Sequence, residues 1–135
     1  MMRSDALNKY QLLDSKLFFI HELTEWCLRV QKFGHKCLYV PKSVVWHKVS
    51  AALENNKKES EISIYYNIRN WLLVVKKNKN FLYFLLVLFL ELTILAIIRS
   101  WRYINNKQPE LIKIYFIAIW HALINKTPME LYPYK

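Results

Sequence analysis

The run FLYFLLVLFLELTILAII, from Phe81 to Ile98, limits the possible folds more than any other stretch of the chain. Its eighteen residues hold one side chain charged at neutral pH, Glu91. A helix of that length matches a hydrocarbon core of roughly 30 Å, so the run reads as a membrane segment. A tilted span, a helix lying in the interface and a buried hairpin would each accommodate it. Glu91 falls near the centre, where a charged carboxylate in lipid costs roughly 2.5 kcal/mol or more. Lys76, Lys77 and Lys79 precede the run, and Arg99, Arg102 and Lys107 follow it. Both flanks are basic, so the positive-inside rule gives no orientation.

The net charge is +10. That balance suits nucleic acid, an anionic membrane surface or a phosphorylated substrate. The cations cluster around apolar segments, and the aromatic residues lie within those segments rather than on an exposed basic stripe. The expected partner is therefore the membrane and not nucleic acid. The 135 residues suffice for one domain with a modest core. Glycine occurs once, which argues against a complete nucleotide-binding domain with its tight turns and close backbone approaches. Cys27 and Cys37 are not spaced as a metal or redox pair and read as reduced, buried thiols in a cytosolic setting. The opening MMRSDALNKYQLLD has no apolar core of the signal-peptide type.

Local patterns divide the rest. Arg3 to Leu13 has the stripe of a short helix, capped by Ser4 or Asp5. Glu22 to Phe33 reads as a second helix, with Leu23, Trp26, Cys27 and Val30 at helical spacing and Gly34 as its stop. Cys37 to Val40 and Val44 to Val49 read as strands from their β-branched and aromatic content. Leu53 to Glu61 reads as a solvated loop. A third helix is expected from Glu61 to about Lys77 with Ser60 as its cap, and the cluster KKNKN marks a boundary. Pro109 to Ile124 reads as a final helix, too short to span comfortably, with Tyr115, Trp120 and His121 suited to an interface.

Few residues carry chemistry. Glu22 and Glu25, three apart at a helix start, share a side and stay ionised there; a positioned carboxylate can act as a general base. From spacing alone, capping and surface charge explain them more simply than catalysis does. Arg29 lies four residues after Glu25 and reads as its ion-pair partner or as an anion ligand. His47, at the end of a strand-like run, suits a metal or phosphate oxygen, or a structural position. Arg69, beside Tyr65, Tyr66 and Asn70, suits a lipid-linked phosphate or simple packing with its head at the surface.

The ordered set of FF, an acidic helix start, WCLR, a KFGHK turn, YVP, VVWHKVS and YYNIRN resembles the C-terminal part of family-2 glycosyltransferases, nearest to the rhamnosyltransferase-like enzymes of bacterial surface polysaccharide synthesis. The resemblance covers residues 1 to about 78. It implies an α/β fold: the C-terminal half of a GT-A domain over residues 1–78. A membrane-spanning or interfacial helix (79–104) and an amphipathic helix with a tail (105–135) would follow. It also implies inverting transfer of a sugar from a sugar nucleotide to a lipid-linked or glycan acceptor at the cytoplasmic face, with a Mg or Mn ion. Glu22 would be the base, Glu25 would hold the site's charge and geometry, His47 would lie near the metal, and Arg29 and Arg69 would contact phosphate. The run Glu22, Leu23, Thr24, Glu25 departs from the family's pattern, because Leu23 stands where the base is most often an acid. The family's DxD site and nucleotide-binding units are not in the sequence. The chain alone is then expected to be inactive and to need an N-terminal half-domain. The alternatives are an assembly half-domain for a separately encoded chain and a small basic membrane protein without catalysis.

Overall fold

A computed structural model describes residues 4–10, 12–17, 19–44, 46 and 57–126. Helix α1 is Ser4–Tyr10, and a single 3-10 turn follows at Ser15–Leu17. Helix α2 is Glu22–Gln31 and α3 is Lys57–Asn78. Helix α4 runs without a break over Phe81–Asn105, with a π-helical turn at Glu91–Leu95, and α5 is Glu110–Leu123.

The expected α/β fold is overturned: the described residues form helices and contain no strand or sheet. Residues 37–40 take no regular secondary structure, and the second expected strand is described only at Val44 and Trp46. The physical reason is the absence of a neighbour. Strand-forming residues favour a pleated, half-buried surface, and no ladder among the described residues provides one. From Lys36 to Val44 the one backbone hydrogen bond among the described residues is Ser43 N–H to the Val40 carbonyl, at 3.0 Å. The side chains stay in solvent, with Tyr39 88% and Trp46 94% exposed.

The helices match their expected positions with shifted ends. Gly34, at φ 84°, turns the chain after α2, and His35 N–H closes back on the Val30 carbonyl at 3.3 Å. Helix α3 begins at Lys57 rather than at Glu61, so the Lys-Lys-Glu-Ser run expected in a loop is helical. Lys and Glu are good helix formers, which suits a helix that starts earlier than its apolar stripe. Asn80 accepts from Tyr83 N–H at 2.8 Å and caps α4. The continuous α4 removes the hairpin reading of residues 81–98.

Helices α3 and α5 form the core. Tyr65 Oη meets His121 Nδ1 at 2.8 Å, and Arg69 Nη2 donates to the Lys126 carbonyl at 2.7 Å. Both members of each pair rise together in number, so α3 and the α5 end run in the same direction. Ala118 and Ala122, one turn apart and buried, keep the α5 surface low where Tyr65, Tyr66 and Leu72 join the same cluster. Each fully buried leucine-sized side chain contributes about 1.5–3 kcal/mol.

Helix α4 is long and apolar enough to cross a membrane. Its buried residues are Phe84, Glu91, Ala96 and Tyr103. The steps of seven at either end are two α-helical turns, and the step of five spans one π turn. The π turn thus keeps one narrow stripe facing the bundle. Most of the helix remains uncovered, including Leu82, Phe89, Ile97 and Trp101. Glu91 points inward, unlike a residue facing lipid.

Candidate functional site

The turn from Phe19 to His21 delivers the acidic start of α2. Ile20 (φ 63°) and His21 (φ 69°) both occupy the left-handed region. That conformation is costly for a β-branched residue such as Ile20, by about 1–2 kcal/mol. Helix α3 holds it in place. Asn70 Nδ2 donates to the Phe19 carbonyl at 2.6 Å and to the Ile20 carbonyl at 2.9 Å. Asn67 Oδ1 lies 2.8 Å from His21 Nε2. Backbone strain of this kind tends to collect at functional sites.

Glu22 opens α2, where the helix dipole favours a carboxylate. Its Oε2 is buried and has no hydrogen-bond partner among the described residues. An oxygen left in that condition forfeits about 1–3 kcal/mol, so the fold retains Glu22 against a local penalty.

Glu25, one turn on, is completely buried and fully engaged. Its Oε1 lies 2.6 Å from Lys77 Nζ, and its Oε2 lies 3.1 Å from Arg29 Nη2. Arg29 also donates to the carbonyls of Tyr10 and Leu12, the latter at 2.9 Å. Lys77 bridges on to Asp14 at 3.1 Å. Burial pushes the Asp14 carboxyl up, but the Lys16 backbone N–H and the Lys77 ammonium outweigh it and hold it below its ordinary value. Burial likewise pulls Lys77 down, and Glu25 and Asp14 reverse the sign and raise it. This clamp joins α1, the 3-10 turn, α2 and α3.

Arg69, expected as a phosphate ligand, is committed to the fold instead. Arg69 is 1% exposed. It donates to the Lys126 carbonyl from Nε and Nη2, to the Lys16 carbonyl at 3.0 Å and to Asn70 Oδ1 at 2.6 Å. Burial lowers its pKa, with Tyr65, Tyr66 and Asp14 acting in the opposite direction. Its geometry is that of a clasp on three chain segments. His47 lies outside the described residues. Among the described residues no three His, Cys, Asp or Glu side chains gather closely enough to hold a metal ion.

Two features escaped the residue patterns. The first is the cluster around Glu91, where Arg99 Nη1 and the Tyr115 hydroxyl each bond Glu91 Oε2 at 2.9 Å. The isolated acid in an apolar run was its one signal. The second is a cavity of about 710 Å³ between the 3-10 turn, Arg29 and the end of α3. Its lining residues are too far apart in sequence to show a pattern. Comparisons with family models, with curated proteins and with solved structures find no match to this chain.

Proposed function

We propose that this chain is the membrane-attached, acceptor-side part of a glycosyltransferase, with Glu22 as the general base and a separate nucleotide-binding part as its partner. The observation that carries the reading is the contrast between the two acids of α2. Glu25 is neutralised by Lys77 and Arg29, whereas Glu22 Oε2, at the start of α2 directly after the strained Ile20–His21 turn, has no hydrogen-bond partner among the described residues. A carboxylate in that state can accept a proton from an acceptor hydroxyl as it attacks the sugar. Glu25 serves by fixing α2 rather than by touching substrate.

The irregular, exposed segment from Lys36 to Val44, with Trp46 beyond it, supports the need for a partner. Its exposed Leu38, Tyr39, Val40, Val44 and Trp46 and its unpaired backbone suit strand addition to another chain. Helix α4 supports attachment to the membrane, and the cytoplasmic face is where a sugar-nucleotide donor would be met. The Mg or Mn ion that the resemblance implies would offset charge on the departing nucleoside diphosphate. Its carboxylates would come chiefly from the partner.

The test is co-reconstitution in detergent with a DxD-bearing nucleotide-binding chain, followed by transfer assays over a panel of sugar nucleotides. A stable complex that transfers a sugar is the expected result. Failure to form a complex, or a complex inert toward every donor, would sink the reading and leave a basic membrane protein without catalysis.

A further inference from the structure

The cavity beside the clamp has walls of two kinds. Leu13, Leu17 and Leu73 give it an apolar side, and Lys16, Arg29, Lys76 and Lys77 give it a cationic side. Asp14 and the adjoining Glu25 offset part of that charge. Four cations against two carboxylates leave an excess of two positive charges at one end of the bundle. Lys76 spends part of its donor capacity on the Leu123 carbonyl and Asn125 Oδ1, and Lys16 Nζ has no carboxylate within ion-pair distance among the described residues. The volume, about 710 Å³, falls within the roughly 300–1,000 Å³ of small-molecule sites.

Position supplies the second constraint. Lys77 lines the cavity, and Phe81 begins the helix that is long enough to cross a membrane. The four-residue step between them reaches at most about 14 Å. A cavity so placed opens near the level where α4 would enter the headgroup region. Its mixed walls match a ligand with an anionic head and an apolar chain. A phosphate monoester carries a charge of about −1.5 to −2, which offsets the cationic excess.

We infer that this cavity binds the phosphate monoester headgroup of an anionic lipid, with Lys16 and Lys76 contacting the phosphate and Leu13, Leu17 and Leu73 lying along the first part of the chain. The inference is independent of the transferase reading, since it uses neither Glu22 nor a sugar donor. It makes α4 one of two attachments to the bilayer and fixes the rotation of the bundle against the membrane surface.

The test uses the full chain in phosphatidylcholine nanodiscs doped with phosphatidic acid, with lipid retention read after extraction of the purified complex. Phosphatidic acid should be enriched over phosphatidylcholine. The pair Lys16→Gln and Lys76→Gln should reduce the enrichment about tenfold, because two charge-assisted contacts are lost. The pair Arg102→Gln and Lys113→Gln makes the same change in charge elsewhere on the surface and should leave the enrichment intact. Circular dichroism of both double variants verifies folding. Addition of inorganic phosphate separates the two sources of the headgroup chemistry: a lipid held also by its chain should not be displaced. Equal loss in both double variants would reduce the effect to general surface charge and overturn the site. Complete displacement by inorganic phosphate, or equal retention of phosphatidylcholine, would overturn it too.

Discussion

Glu25 Oε1 and Lys77 Nζ lie 2.6 Å apart, and this contact fastens the start of α2 to the end of α3. Glu25 is buried while Lys77 is nearly half exposed. The two partners are therefore unequal. Removing Lys77 leaves the buried Glu25 carboxylate with Arg29 alone, whereas removing both charges leaves only the part-exposed Arg29 and Asp14 without these partners. Lys77→Met should destabilise the fold by about 2 kcal/mol, and Glu25→Gln combined with Lys77→Met should recover part of that loss. Chemical denaturation in detergent, with tryptophan fluorescence as the signal, measures both.

The same clamp sets a pH window. Asp14 has a lowered pKa, so its contribution is present above the ordinary aspartate value of 3.8 and disappears as pH falls through the lower folded value. Lys77 has a raised pKa, so its contribution is present below the ordinary 10.5 and is lost as pH rises through the higher folded value. Stability should therefore be flat with respect to these two groups across neutral pH and fall at both extremes. Asp14→Asn should blunt the acid limb, as read from unfolding midpoints across a pH series.

Arg69 should be among the least replaceable residues. Its guanidinium serves the Lys126 and Lys16 carbonyls and Asn70 Oδ1 from one buried position. A lysine offers one head and cannot reach all three in a fixed fork. Arg69→Lys and Arg69→Ala should each cost about 3 kcal/mol, because the acceptors are left buried without donors. The same unfolding assay checks this. A loss below about 1 kcal/mol, the level of an ordinary single hydrogen bond, would contradict the clasp.

The sequence already showed the helices wherever apolar spacing, a cap or a glycine stop fixed them. Asn80, Gly34 and Pro109 mark real boundaries because each acts on its own few residues. The Glu25–Arg29 pair was visible for the same reason, since a spacing of four on a helix is local. Lys77 and Asp14 were not, because their meeting depends on how the 3-10 turn lies across α3. Residues 37–40 misled: their composition describes what a strand would need, and a strand also needs a neighbour. The inward turn of Glu91 depended on a π turn that no residue type announces.

The Glu91 cluster should act as a tie between α4 and α5. The Tyr115 hydroxyl bonds both the Glu91 carbonyl and its carboxylate. Tyr115→Phe should cost about 1 kcal/mol, the scale of a single net hydrogen bond. Glu91→Gln together with Tyr115→Phe should show coupling of similar size in a double-mutant cycle, whereas purely additive losses would deny the tie.

The two cysteines should differ in reactivity. Cys37 is exposed and Cys27 is half-buried. Burial raises the Cys27 pKa, and its hydrogen bond with the Cys37 thiol raises it further, which lowers its thiolate fraction. Iodoacetamide should therefore label Cys37 first, as read by peptide mass spectrometry. Cys37→Ser should then speed labelling of Cys27.

The most direct measurement for the transferase reading is the single-turnover rate of sugar transfer by the reconstituted pair of chains, with Glu22 and with Glu22→Gln. Removal of a general base should lower that rate by about 10²- to 10⁴-fold with donor affinity unchanged. An unchanged rate in folded Glu22→Gln protein would contradict the assignment of Glu22 as the base.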